Sequence, residues 1–169
     1  MDTFSSPLYR IISHHGVGEV CRKISNGQNH FFAIRSFKPG DVIAGFSAGT
    51  ISAEPTYLTV QVGIRKHITL DPEFLQYINH GCDPNVFFNT ATMQLIALKP
   101  IQPEEEMSFF YPSTEWKMTQ PFQCYCGSPR CIGEIKGAAY LSANLQDKYQ
   151  LTDFIQQQLA KNKRARKVA

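Results

Sequence analysis

The 169-residue chain is poor in charge and in tryptophan: 18% of its residues are Asp, Glu, Lys or Arg, and Trp116 stands alone. Low charge beside 43% hydrophobic residues excludes a disordered or collagen-like chain. No stretch approaches the ~18 consecutive apolar residues of a membrane span. The opening "MDTFSSPLYRIISHHG" lacks an apolar run behind a basic region, so the expectation is an intracellular chain, cytoplasmic or nuclear, with no membrane partner. The net charge of +3 is local, because the last nine residues, "KNKRARKVA", hold five of the 17 basic groups and no acid. The rest is slightly acidic, and no nucleic-acid partner is expected beyond this tail, read as a solvated helix end. An even cysteine count is missing too. Five thiols without a leader point to a reduced compartment, where they serve metals rather than disulfides.

What is present reads as one mainly β domain, large enough to bury roughly 70% of its unfolded surface. "FFAIRSFKPGDVIAGFSAGT" breaks short apolar runs at Pro39-Gly40 and Gly45, as strands joined by turns do. "TYLTVQVG" and "KHITLD" predict a hairpin, with Tyr57, Leu58, Val60 and Val62 as its apolar positions. "DPEFLQYIN" predicts a short helix with Asp71 as N-cap and Pro72 in the first helical position. Three more strands follow in "NVFFNT", "QLIALKP" and "EMSFFYP". "SANLQDKYQLTDFIQQQLAKN" spaces Leu145, Tyr149, Leu151, Ile155 and Leu159 as the longest helix.

The segment "PFQCYCGSPRC" carries Cys124, Cys126 and Cys131 on one loop bent by Gly127 and Pro129. A structural zinc ion takes four ligands in a tetrahedron. Of the two cysteines left, Cys82 sits in "NHGCDPN", a turn able to present its side chain, so it is read as the fourth ligand. Cys21 is read as an ordinary packing thiol.

These residues carry a resemblance to SET-domain protein lysine methyltransferases with a post-SET zinc module. "INHGCDPN" resembles that family's Asn-His-x-Cys-x-Pro-Asn motif, "PEEEMSFFY" its Gly-Glu-Glu-Leu-x-x-x-Tyr segment, and "CYCGSPRCIG" its Cys-x-Cys-x4-Cys-x-Gly ending. "FAIRSFKPGDVI" is similar to its N-terminal strand pair. The resemblance implies small curved β-sheets with a pseudoknot near "INHGCDPN", then a C-terminal post-SET zinc loop and helix. It divides the chain into an N-terminal segment (1–27), a SET domain (28–119), the zinc module (120–136), a helical segment (137–160) and the basic tail (161–169).

By the same resemblance the cofactor is S-adenosylmethionine, held by Asn79 and His80 with Gln28, His30, Tyr77 and Ile132, and the metal is zinc on Cys82, Cys124, Cys126 and Cys131. Tyr111 stands at the catalytic tyrosine and Phe109 at a position the family fills with Tyr or Phe. A Phe leaves room for a more methylated amine, which makes di- or trimethylation accessible. Phe87, Phe88, Trp116, Phe122 and Tyr125 are candidates for the channel lining. The implied partner is a protein lysine, histone or non-histone. Three positions depart from the pattern: Gln28-Asn29-His30 replaces a Gly-x-Gly turn, Gln76 a frequent Arg, and Phe110 the Asp of Tyr-Asp-Tyr. A divergent SET fold recruited to a small-molecule, secondary-metabolite reaction, or a binding module without catalysis, is the alternative these departures favour.

Elemental analysis of the purified protein is expected to find one zinc per chain, and Cys82→Ser to lose it. Retention of full occupancy in that variant would remove residue 82 from the metal site.

Overall fold

A computed structural model of the chain describes residues 6–168. The first residues of the N-terminal segment and Ala169 lie outside this range. Strands β1 (Tyr9–His15), β2 (Gly18–Lys23) and β3 (Asn29–Ala33) form an antiparallel sheet, so residues on either side of position 28 share one ladder. Next come β4 (Val42–Gly45), β5 (Ser47–Ser52), β6 (Val60–Gly63) and β7 (Lys66–Asp71), with β7 paired between β5 and β6. Tyr57 is 87% exposed and precedes β6, so the predicted hairpin begins only at Val60.

The short helix predicted after Asp71 is a three-ten turn over Glu73–Tyr77, with Pro72 outside it as the capping residue and no side-chain cap. Asp71 is the last residue of β7 and its side chain is directed to Ser47, which removes it as a cap. Leu75 and Ile78 are nonetheless fully buried.

Strands β8 (Asn79–His80), β9 (Val86–Asn89), β10 (Gln94–Ala97) and β11 (Ser108–Phe109) complete the central region. β10 pairs with both β4 and β9, and β8 pairs in parallel with β11, Asn79 opposite Ser108 and His80 opposite Phe109. This parallel pair lies where the resemblance implies the pseudoknot. The main core, including Phe31, Phe88, Leu95, Ile101 and Met107, packs beneath it.

The loop after β8 is held to β11 by Asn85. Its side chain accepts the Ser108 N–H at 2.9 Å and donates to the Glu106 carbonyl at 2.8 Å. Gly81 donates its N–H to the Phe109 carbonyl at 3.0 Å.

Beyond the core, β12 (Phe122–Gln123) and β13 (Glu134–Ile135) form a hairpin whose long loop holds the cysteines. The predicted single C-terminal helix is instead two, α1 (Ala143–Lys148) and α2 (Asp153–Val168). The interruption has a tertiary cause. Tyr149 is extended, stacks on Phe110 with ring centres 3.7 Å apart, and donates its hydroxyl to the Cys82 carbonyl at 2.7 Å. Thr152 then donates its N–H to the Ser113 carbonyl at 3.0 Å. The basic tail continues α2 to Val168.

A β-carbon at Gly81 would meet Ser108 Oγ at 2.5 Å and Cβ at 3.0 Å. Gly81→Ala is therefore expected to part β8 from β11 and lower stability by about 1–3 kcal/mol in denaturant titration. Adding Ser108→Ala relieves the closer contact and should return part of that loss.

Candidate active site and metal centre

The sulfur atoms of Cys82, Cys124, Cys126 and Cys131 all lie within 4.8 Å of one another. The loop reaches this shape through left-handed backbone at Gly127 (φ 71°) and Gly133 (φ 76°), a conformation that glycine adopts without cost. Cys131 N–H donates to the Ser128 carbonyl at 2.9 Å, and Cys124 N–H to that of Gly133 at 2.8 Å. Zn–S bonds of about 2.3 Å in a tetrahedron put sulfurs about 3.8 Å apart. Cys82 and Cys124 stand 3.8 Å apart.

The charges agree with a metal. Burial pushes the Cys82 thiol far up and Cys124 to about 11. Burial also acts to raise Cys126, but main-chain N–H donors at Cys82 and Ser128 together with the Cys124 and Cys131 thiols outweigh it and bring that thiol to about 7. Holding all four as thiolates takes a divalent cation, so the donor set fits zinc. Cys21 is fully buried away from this group, and burial lifts it to about 11, as befits a packing thiol.

Next to the cluster lies the face carried by β8 and β11. Tyr111 lies two residues past the end of β11, after Phe110. Its ring sits 4.8 Å from Phe109, 5.2 Å from His80 and 6.1 Å from Phe122. Burial pushes its phenol up to about 12, against a main-chain hydrogen bond from His80 that acts to lower it, so the hydroxyl stays protonated at any ordinary pH. His80 accepts the Tyr111 N–H on Nδ1 at 3.2 Å, while Nε2 lies 3.2 Å from Cys82 Sγ. Burial lowers the imidazole to about 4 and keeps it neutral.

Of the other candidate residues, Gln28 and Asn79 meet, the Gln28 amide donating to Asn79 Oδ1 at 3.4 Å. The Asn79 amide in turn donates to the Asn29 carbonyl at 2.8 Å. The Gln28-Asn29 stretch that leads into β3 is thus bonded directly to Asn79. Ile132 packs in the same cluster as Tyr111 and the cysteines. His30 does not join them: its ring turns inward to Glu106 at 2.7 Å, against Tyr9. Tyr77 lies against the main core.

Among the channel candidates, Phe122 faces Tyr111, Phe88 packs behind Phe109, Trp116 belongs to the C-terminal cluster and Tyr125 is 88% exposed.

Phe110, at the departure from Tyr-Asp-Tyr, is buried under Tyr149 and joins Leu141, Leu151, Ile155 and Leu159 in a second core. An Asp there would bury an unpaired charge.

Residues 30–112 match the SET domain family, and over 123 residues the chain is 35% identical to Methyltransferase flvH of Aspergillus flavus, covering 72% of this chain and 68% of that protein. The chain belongs to the SET-domain family. It is also 37% identical over 68 residues to Histone-lysine N-methyltransferase Set2 of Drosophila melanogaster, covering 37% of this chain and 3% of that one. To the H3 lysine-36 specific histone-lysine N-methyltransferase of Candida albicans it is 34% identical over 77 residues, covering 41% of this chain and 9% of that one. Among the described residues no helix is long and apolar enough to cross a membrane.

Sequence reasoning missed Glu115 and Gln61. Glu115, half-buried, donates its N–H to the Tyr111 carbonyl at 3.0 Å and accepts the Gln61 N–H on its carboxylate at 2.8 Å. Gln61 accepts the Trp116 N–H at 2.9 Å, closing a bridge between β6 and the turn after Tyr111. No local pattern signals this, because its partners lie more than fifty positions apart.

Burial raises the Glu115 carboxyl from 4.5 to about 7, so the folded chain holds this proton more tightly than the unfolded one. The stability it contributes is complete below pH 4.5 and is lost as pH rises through 7. Relative to Glu115→Gln, the wild type should lose unfolding free energy across that window. A difference that stays flat with pH would contradict this.

Proposed function

We propose that this SET-domain chain is an S-adenosylmethionine-dependent protein lysine N-methyltransferase. The observation that carries the reading is Tyr111: a protonated, half-buried phenol ringed by Phe109, Phe122 and His80 and joined to the Asn-His motif through its main chain.

When bound, S-adenosylmethionine would supply a methyl group whose carbon an uncharged amine attacks in line, forming the N–C bond as the S–C bond breaks and the sulfur leaves as a neutral thioether. Asn79, His80, Gln28 and Ile132 are the proposed cofactor-binding residues, with His30 and Tyr77 behind them. The Tyr111 hydroxyl orients the amine and polarises the methyl, and the surrounding rings favour the neutral amine by excluding water. Phe109 offers no hydroxyl to hold the amine's remaining protons, which leaves space for di- and trimethylation. Zinc on the four cysteines fastens the loop of β12–β13 beside this site. We read residues 28–119 as the SET unit, 120–136 as the zinc module and 137–160 as the segment that covers it.

A second reading takes a small-molecule amine as the acceptor. It is favoured by the longer match, 72% of the chain, to a relative whose name specifies only a methyltransferase, and by the departure at Gln28-Asn29-His30.

Calorimetry is expected to detect S-adenosylmethionine binding with Kd below about 1 mM. Tyr111→Phe should cut turnover about 100-fold or more with cofactor affinity unchanged within about threefold. Isotope-labelled methyl donor offered with histones and with free amines separates the two readings. Label in protein lysine supports the first, and label only in small amines supports the second. Absence of both cofactor binding and label would remove methyl transfer altogether.

A further inference from the structure

We propose that the His80 imidazole is a relay that couples the metal cluster to the main chain of Tyr111, making His80 a positioning residue for the transfer site. The inference rests on the methyltransferase reading only for its consequence, since the coupling itself is a matter of hydrogen bonds. Nδ1 of His80 accepts the Tyr111 N–H at 3.2 Å and so carries the lone pair. The ring proton of a neutral imidazole then sits on Nε2, which faces Cys82 Sγ at 3.2 Å and donates to it. The ring cannot swing to other partners, because Phe110, Tyr111 and Phe122 pack around it at 5.7, 5.2 and 5.6 Å. Its backbone is fixed as well, opposite Phe109 in the parallel pair.

A metal-bound thiolate accepts a hydrogen bond far better than a thiol does. Metal binding at Cys82 therefore strengthens the Nε2–H bond, makes Nδ1 the better acceptor, and draws the Tyr111 amide tighter. In the other direction, the imidazole orients Cys82 for the metal. Cys82 is fully buried, so no water replaces the imidazole as donor at no cost.

Two measurements without cofactor or amine test this: metal affinity by chelator competition, and hydrogen exchange of the Tyr111 amide relative to amides of β9 and β10. In the wild type, stripping the metal should speed Tyr111 exchange selectively. His80→Leu should weaken the metal about tenfold or more and leave Tyr111 exchange fast with or without it. His80→Gln, which keeps a donor near Nε2, should restore metal affinity to within about threefold but not Tyr111 protection. His80→Asn, which keeps an acceptor near Nδ1, should do the reverse. Unchanged metal affinity in His80→Leu, or Tyr111 exchange indifferent to metal in the wild type, overturns the relay. If His80→Leu does not fold, the wild-type comparison and the Gln and Asn variants still decide. Failure of S-adenosylmethionine to bind would sink the methyltransferase reading and leave these outcomes untouched.

Discussion

The site depends on two residues of parallel strand pairing. Because His80 lies opposite Phe109, the residues that follow each strand, Cys82 on one side and Tyr111 on the other, leave the pair together and stay within reach of one imidazole. Such a short ladder has little strength of its own. It is held by Asn85, whose side chain bonds Ser108 of β11 and the Glu106 carbonyl ahead of it, and by Gly81, which leaves room for the Ser108 side chain across the pair. Parallel pairing requires a crossover, and here that crossover is β9, β10 and the segment that follows, which brings Val86, Phe88, Leu95, Ala97, Ile101 and Met107 into the main core. Core packing and site geometry are thus the same constraint.

Much of this was legible from the residues. Three cysteines in one glycine-bent loop demand a fourth ligand, and the turn residues around Cys82 are enough to select it. The hairpin of β6 and β7 follows from the alternation in "TYLTVQVG", and the strands β9 and β10 from short apolar runs, whose Val86, Phe87, Phe88, Leu95 and Ala97 are buried. The quoted motifs order the chain well enough to bring Asn79, His80 and Tyr111 together.

What was not legible is what depends on contacts between distant segments. Helical spacing from Leu145 to Leu159 is genuine, yet Tyr149 contributes more by stacking on Phe110 and bonding Cys82 than by continuing a helix, so the chain breaks there. Pro72 reads as a helix start, but β7 extends through Asp71 and leaves room only for a three-ten turn. Phe110 looks like a defect against the family pattern until the second core is seen. Its ring is then the surface on which the C-terminal segment docks.

The hydroxyl of Tyr149 on the Cys82 carbonyl has an implication for biosynthesis. A ribosome delivers this chain from its N-terminus, and the pieces that meet around the imidazole come from positions 80, 82, 109 to 111, 124 to 131 and 149. The last of them emerges only after the rest has had time to collapse, and contacts so distant in sequence form slowly. The surface around the imidazole is therefore complete only once position 149 has been added, and a product that stops short of it carries a β core with an open, thiol-bearing flank.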